Sequence, residues 1–99
     1  MDKFKIGVCC TFGAGSSMML KMNLEQAFRK MDIEADFEIH DISSISGVAG
    51  DLDAVYTSSA LVSEVQAACA GTKTAVVPVI DYFDIKRLQE LTTEYLLKN

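Results

Sequence analysis

The residues best suited to chemistry stand together near the N-terminus, in the run Cys10-Thr11-Phe12-Gly13-Ala14-Gly15-Ser16-Ser17. A thiol is followed by a short glycine-bearing stretch and then by paired hydroxyls. Glycine lets backbone amides turn inward and approach a bound group closely. The start of a helix adds unpaired N–H donors and the positive end of its dipole. Together these make a cradle for a phosphate-sized anion. A thiol in the same field ionises below its reference pKa of about 8.5, because the amides stabilise the thiolate. The same donors then hold a phosphoryl group attached to sulfur. One site thus activates a nucleophile and binds its product, which makes Cys10 the candidate nucleophile and residues 11–17 the candidate phosphate loop. The ordinary alternative is a small buried thiol at a strand end, with glycines that only turn the chain.

Other reactive side chains have simpler readings. Cys9 precedes the candidate nucleophile, but strand side chains alternate, so it is expected on the opposite face, in the core. Cys69 lies in Ala67-Ala68-Cys69-Ala70 and reads as packing. His40 is the only histidine and has no partners at metal-ligand spacing, so no metal is expected and a strand-end surface position fits it. Asp81, in Asp81-Tyr82-Phe83, could protonate a leaving group, yet a helix cap or turn residue is the simpler assignment. Met18, Met19 and Met22 cluster at the helix start, where periodicity buries only part of the set. With Lys21 they are candidate docking residues, core filling being the alternative for the methionines.

The elements that must position this run alternate between strand and helix. Phe4 to Cys10 reads as a buried strand, and Ser16 or Ser17 as the cap of a helix whose Leu20, Leu24, Ala27, Phe28 and Met31 share one face. A second strand is expected at about Ala35 to His40, near a sheet edge because Phe37 and Ile39 alternate with polar neighbours. Ser43 to Gly50 holds at most a short helix. Leu52 to Tyr56 reads as a third strand, Ser58 or Ser59 as the cap of a helix through Ala68, and Thr74 to Val79 as a fourth strand. Asp84 or Asp81 caps a last helix in which Ile85, Leu88, Leu91 and Tyr95 share a face. Such alternation implies parallel strands joined by right-handed crossovers, hence a small α/β sandwich with its site beyond the carboxyl ends of the strands.

Composition narrows the class. The chain has 99 residues, 49% hydrophobic and 23% charged, enough for a single domain over residues 1–99. Its formal net charge of −5 argues against nucleic acid as a partner. Three cysteines, two of them adjacent, argue against a disulfide framework and for a reducing cytoplasm. No apolar run approaches the roughly 20 residues of a membrane span, and no signal-length segment follows Met1.

From Val8 to Asn23 the sequence resembles the active-site segment of the IIB subunits of the phosphoenolpyruvate-dependent sugar phosphotransferase system. It looks most like the ascorbate and galactitol branch, where a cysteine precedes a glycine-bearing loop, Gly-Ser-Ser and a Met-Leu-Lys-Met-type helix start. The resemblance implies a three-layer α/β fold with a four-stranded parallel sheet of order 2-1-3-4, related to the low-molecular-weight phosphatases. It also implies that Cys10 takes a phosphoryl group from a phosphohistidine of the IIA partner. Cys10 then passes it to a sugar held by the membrane-embedded IIC partner, without a cofactor. L-ascorbate is the substrate this implies, with galactitol or another sugar alcohol as the alternative. Thr11 and Phe12 depart from the smaller or more polar residues of ascorbate-type members. The loop is also similar to that of the low-molecular-weight tyrosine phosphatases, but Ser16 stands where those enzymes carry arginine. Without a bidentate fork on the phosphoryl oxygens, transfer is favoured over hydrolysis. A phosphatase and a non-catalytic phosphate-sensing module are the alternatives.

Overall fold

A computed structural model of the chain describes residues 3–9 and 13–97. The elements succeed one another in the order β1 (Phe4–Cys9), α1 (Gly13–Lys30), β2 (Ala35–Ile39), α2 (Ile42–Val48), β3 (Ala54–Ser58), α3 (Val62–Ala68), β4 (Ala75–Val79) and α4 (Ile85–Thr92). All strand pairs are parallel and the sheet order is β2-β1-β3-β4, as expected. β2 is an edge strand. β4 is the other edge, and an edge strand is where Pro78, which has no N–H to donate, is tolerated in a sheet.

Side-chain alternation along β1 splits the interior into two layers. Ile6 and Val8 join Leu20, Leu24, Phe28, Tyr56, Val77 and Leu88 in a core under α1 and α4. Cys9 joins Ile45, Leu52, Val55, Val65 and Cys69 under α2 and α3 on the opposite face. Phe28 anchors the first layer, edge-to-face on Phe37 with ring centroids 5.1 Å apart and on Tyr56 at 6.2 Å. The Tyr56 hydroxyl meets Thr92 Oγ1 at 2.5 Å, and Thr92 Oγ1 donates to the Leu88 carbonyl at 2.8 Å. Burial pushes the Tyr56 phenol well above its ordinary pKa. In the second layer, Gly7 leaves room for Leu52, whose Cδ1 would lie 2.9 Å from an added Cβ.

Helix ends obey local chemistry. α1 stops in a Schellman arrangement: Ile33 N–H donates to the Phe28 carbonyl at 2.9 Å and Asp32 N–H to that of Arg29 at 3.1 Å. Asp32 takes the left-handed conformation this requires, at φ 60°. Asp41 caps α2, accepting from Ser44 N–H at 3.0 Å and from the Ser43 and Ser44 hydroxyls, contacts led by Ser44 that hold its carboxyl below the usual range. Asp84 caps α4, accepting from Arg87 N–H at 3.0 Å.

Several expected boundaries move. α1 begins at Gly13, so Ser16 and Ser17 lie inside the helix instead of capping it. The first-turn N–H groups have no intrahelical partner in any case, so glycines are better tolerated there than in a helix interior. β3 is shifted two residues, to Ala54–Ser58: Leu52 buries its side chain from the turn before the strand, while the polar pair Thr57 and Ser58 continues it, buried. The side chain of Ser58 does not cap the short 3₁₀ turn over Ser59–Leu61, and α3 starts only at Val62. Tyr95 is exposed: the chain past α4 widens into a π-helical turn over Thr93–Leu97, which shifts the phase so that Leu96 packs on the core instead. Met31 falls just past the end of α1 and is half-buried.

Candidate functional site

The carboxyl ends of the strands and the N-terminal turns of α1 meet on one side of the sheet. Of the candidate loop, Cys10, Thr11 and Phe12 lie outside the described residues. Gly13, Ala14 and Gly15 form the start of α1, so the expected loop from 11 to 17 is shortened by a helix that begins early. Ser16 is half-buried and Ser17 is buried on the face that continues through Leu20, Leu24 and Phe28. Three residues thus separate the end of β1 at Cys9 from the start of the helix, whose first-turn N–H groups have no intrahelical partner.

Around this start the structure separates the other candidates. Cys9 is fully buried on the α2/α3 face, as alternation requires. Cys69 is buried in the same layer, and desolvation pushes its thiol pKa up, away from the thiolate a nucleophile needs. His40 is half-buried directly after β2. Its N–H donates to the Val8 carbonyl at 2.9 Å and its Nε2 lies 3.0 Å from Glu38 Oε1. Asp81 is exposed and closes a turn, its carboxylate accepting from Phe83 N–H at 2.9 Å. Met18, Met19 and Met22 are all exposed, at 46%, 45% and 52%, and Lys21 is half-buried. None of the three methionines fills the core.

Other residues of this rim carry no signal in the sequence. Thr57 and Ser58 are buried at the carboxyl end of β3, with Thr57 level with Cys9 in the ladder. Asn23 Nδ2 donates to the Tyr82 carbonyl at 2.7 Å, tying α1 to the loop after β4. Only the strand propensity of Thr57 could have flagged the first pair, and nothing local flags a contact across 59 positions.

The family model for the lactose/cellobiose-specific IIB subunit of the phosphotransferase system matches residues 5–94. The chain belongs to that family. Its IIB fold is also that of a solved structure, the lactose-specific IIB component domain of the phosphoenolpyruvate:carbohydrate phosphotransferase system from Streptococcus pneumoniae. The two share 12% identity, with a TM-score of 0.71 and 94% of each chain covered, a likeness of fold. Comparison with curated proteins gives no match. IIB domains are phosphotransferases that work with IIA and IIC partners. The ascorbate and galactitol branch expected from the Val8-to-Asn23 segment finds no support in these comparisons, which name lactose and cellobiose. Among the described residues, no helix of this IIB chain is long and apolar enough to cross a membrane.

Proposed function

We propose that residues 1–99 act as one IIB domain, a phosphocarrier in which the Cys10 thiolate attacks the phosphorus of a phosphohistidine on IIA. The P–N bond breaks as the S–P bond forms, and histidine leaves with a proton in place of the phosphoryl group. A sugar hydroxyl held by IIC then attacks the same phosphorus at the cytoplasmic face of the membrane: the O–P bond forms as the S–P bond breaks, the hydroxyl proton is released and Cys10 returns as the thiolate. Thr11 to Ser17 supply the amides and hydroxyls that hold the phosphoryl oxygens, with α1 contributing its free N–H groups and dipole. Met18, Met19, Lys21 and Met22 form the docking rim. The observation that carries this reading is the family match across the β1–α1 junction, where β1 ends at Cys9 and α1 starts at Gly13, flanking Cys10. Transfer over hydrolysis is supported by Ser16 at the position of the phosphatase arginine and by Asp81, whose carboxylate is engaged in a backbone turn.

Phosphoryl labelling from phosphoenolpyruvate through IIA tests it. Cys10→Ser is expected to abolish labelling and Cys9→Ser to retain it; full labelling of the Cys10 variant would end the assignment. Sustained p-nitrophenyl phosphate turnover that required Asp81 would favour a phosphatase instead, and anion binding without any adduct a sensor. For the sugar, the family description favours a lactose- or cellobiose-type disaccharide, while the Gly15-Ser16-Ser17 and Met19-Leu20-Lys21-Met22 segments favour L-ascorbate or galactitol. Phosphoryl transfer to each sugar in membranes that contain the IIC partner separates them.

A further inference from the structure

β3 ends on two buried hydroxyls that face opposite layers. Alternation puts Thr57 on the side of Val55, in the α2/α3 layer, where its Oγ1 donates to the Ser58 carbonyl at 3.4 Å. The same alternation puts Ser58 on the side of Ala54 and Tyr56, under α1 and α4. Ser58 is 5% exposed, and its ladder partner on β4, Val79, is apolar and 1% exposed. A hydroxyl in such a layer costs free energy unless it is hydrogen-bonded. The turn that follows does not use this side chain, which makes no cap bond to Ser59–Leu61. The ladder sets Ser58 at the β1–α1 junction. β1 and β3 are neighbours, with Val8 level with Tyr56 and Cys9 level with Thr57. Ser58 stands one residue beyond that last rung, and Cys10 is the residue bonded to Cys9. Neighbouring strands lie about 4.8 Å apart and consecutive Cα atoms about 3.8 Å, so the end of β3 borders the junction directly. Cys9 faces the far layer, which Ser58 does not share. From the helix side, α1 buries Ser17 on the face that continues through Leu20 and Leu24 into the layer of Ser58.

We propose that Ser58 is a catalytic residue of the transfer, its hydroxyl donating a hydrogen bond to the Cys10 sulfur from the sheet side while the helix amides hold the phosphoryl oxygens. This rests on the phosphocarrier reading. The hydroxyl keeps its proton throughout. In the first step it holds the thiolate that forms the S–P bond as the P–N bond of the phosphohistidine breaks. In the second it holds the departing sulfur, to which the electron pair of the S–P bond returns as the sugar oxygen takes the phosphorus. A hydrogen bond to an ionised partner is stronger than one to a neutral partner. The contact therefore favours ionisation of the thiol before attack and departure of the sulfur afterwards. No charge is needed from the side chain itself, which suits a residue set in an apolar layer beside Val79.

The test compares Ser58→Ala, Ser58→Thr, Ser58→Val and Ser59→Ala, the last an exposed hydroxyl one residue on. Alkylation by iodoacetamide is followed against pH, with the adduct located on Cys10 by peptide fragmentation, so that the thiolate is read with no partner present. Transfer from phosphorylated IIA is followed by steady-state kinetics. Ser58→Ala is expected to move the alkylation midpoint up by about one pH unit. It should also lower the maximal rate of transfer about tenfold, with KM for phosphorylated IIA nearly unchanged. The charged groups of the neighbouring elements, His40 with Glu38 after β2, Lys21 on α1 and Asp81 after β4, are untouched by the change. Thr and Val share a shape and differ in the hydroxyl, so Ser58→Thr should keep the parent midpoint and Ser58→Val should shift it as Ser58→Ala does. Ser59→Ala should match the parent throughout. An unmoved midpoint in Ser58→Ala, or equal midpoints in the Thr and Val variants, would overturn the proposal. So would a defect carried wholly by KM, which would make Ser58 a docking residue. If the midpoint shifts as expected but the parent chain never carries phosphoryl on Cys10, the hydroxyl–sulfur contact stands and the phosphocarrier reading fails.

Discussion

The two halves of α1 are made of different material. From Gly13 to Met22 the helix holds two glycines, two serines and three exposed methionines, and buries only Ser17 and Leu20 among its described side chains. From Asn23 to Lys30 it buries Leu24, Ala27 and Phe28 and closes with a complete C-terminal motif. Glycine and serine are weaker helix formers than the Leu, Glu, Gln, Ala, Arg and Lys that fill the second half, so the first half is the poorer helix on its own. It is held because the second half packs. The site is thus mounted on an element whose stability comes from elsewhere, which leaves its residues free to meet an anion and a partner.

The strongest way to break this comparison is to remove the anchor. Phe28→Ala is expected to cost about 3–5 kcal/mol in urea unfolding, by losing two aromatic contacts and opening a cavity; a loss under about 1 kcal/mol would show that the second half does not carry the helix. Next, Met18→Ser with Met22→Ser should leave stability within about 0.5 kcal/mol while raising KM for phosphorylated IIA several-fold. A stability loss comparable to that of Phe28→Ala would make these methionines structural. Tyr56→Phe, beneath Phe28, should cost about 1 kcal/mol as the hydrogen bond to Thr92 is lost. Because burial raises the Tyr56 pKa, its contribution is intact below about pH 10 and falls as pH rises further, so the thermal midpoint of the parent chain should drop more steeply in alkali than that of Tyr56→Phe. The smallest effect is a gain: Asp32→Gly relieves the left-handed residue at the end of α1 and should add about 0.5 kcal/mol.

The second half of α1 was legible in the sequence because its determinants are local: Leu24, Ala27 and Phe28 continue the helical spacing from Leu20, and packing obeyed them. The alternation that sent Cys9 into the α2/α3 layer and the cap at Asp84 were legible for the same reason. The first half was not. Serines after glycines read as a cap, yet a cap is needed only where the helix begins, and glycines tolerable in a first turn let α1 begin at Gly13. β3 slipped because Leu52 is apolar but buried from a turn, while Thr57 satisfies its hydroxyl on the Ser58 carbonyl and stays in the strand. The grip of Asn23 on the loop after β4 depends on a contact across 59 positions and leaves no periodic trace.

The central claim is that the phosphoryl group rides on Cys10, and intact-mass analysis with peptide mapping tests it most directly. After incubation with phosphoenolpyruvate, the general phosphotransferase proteins and the cognate IIA, the chain is expected to gain one phosphoryl group, located on the peptide that contains Cys10. An adduct on His40, or a chain that gains no phosphoryl group while its IIA partner is fully phosphorylated, would contradict the account.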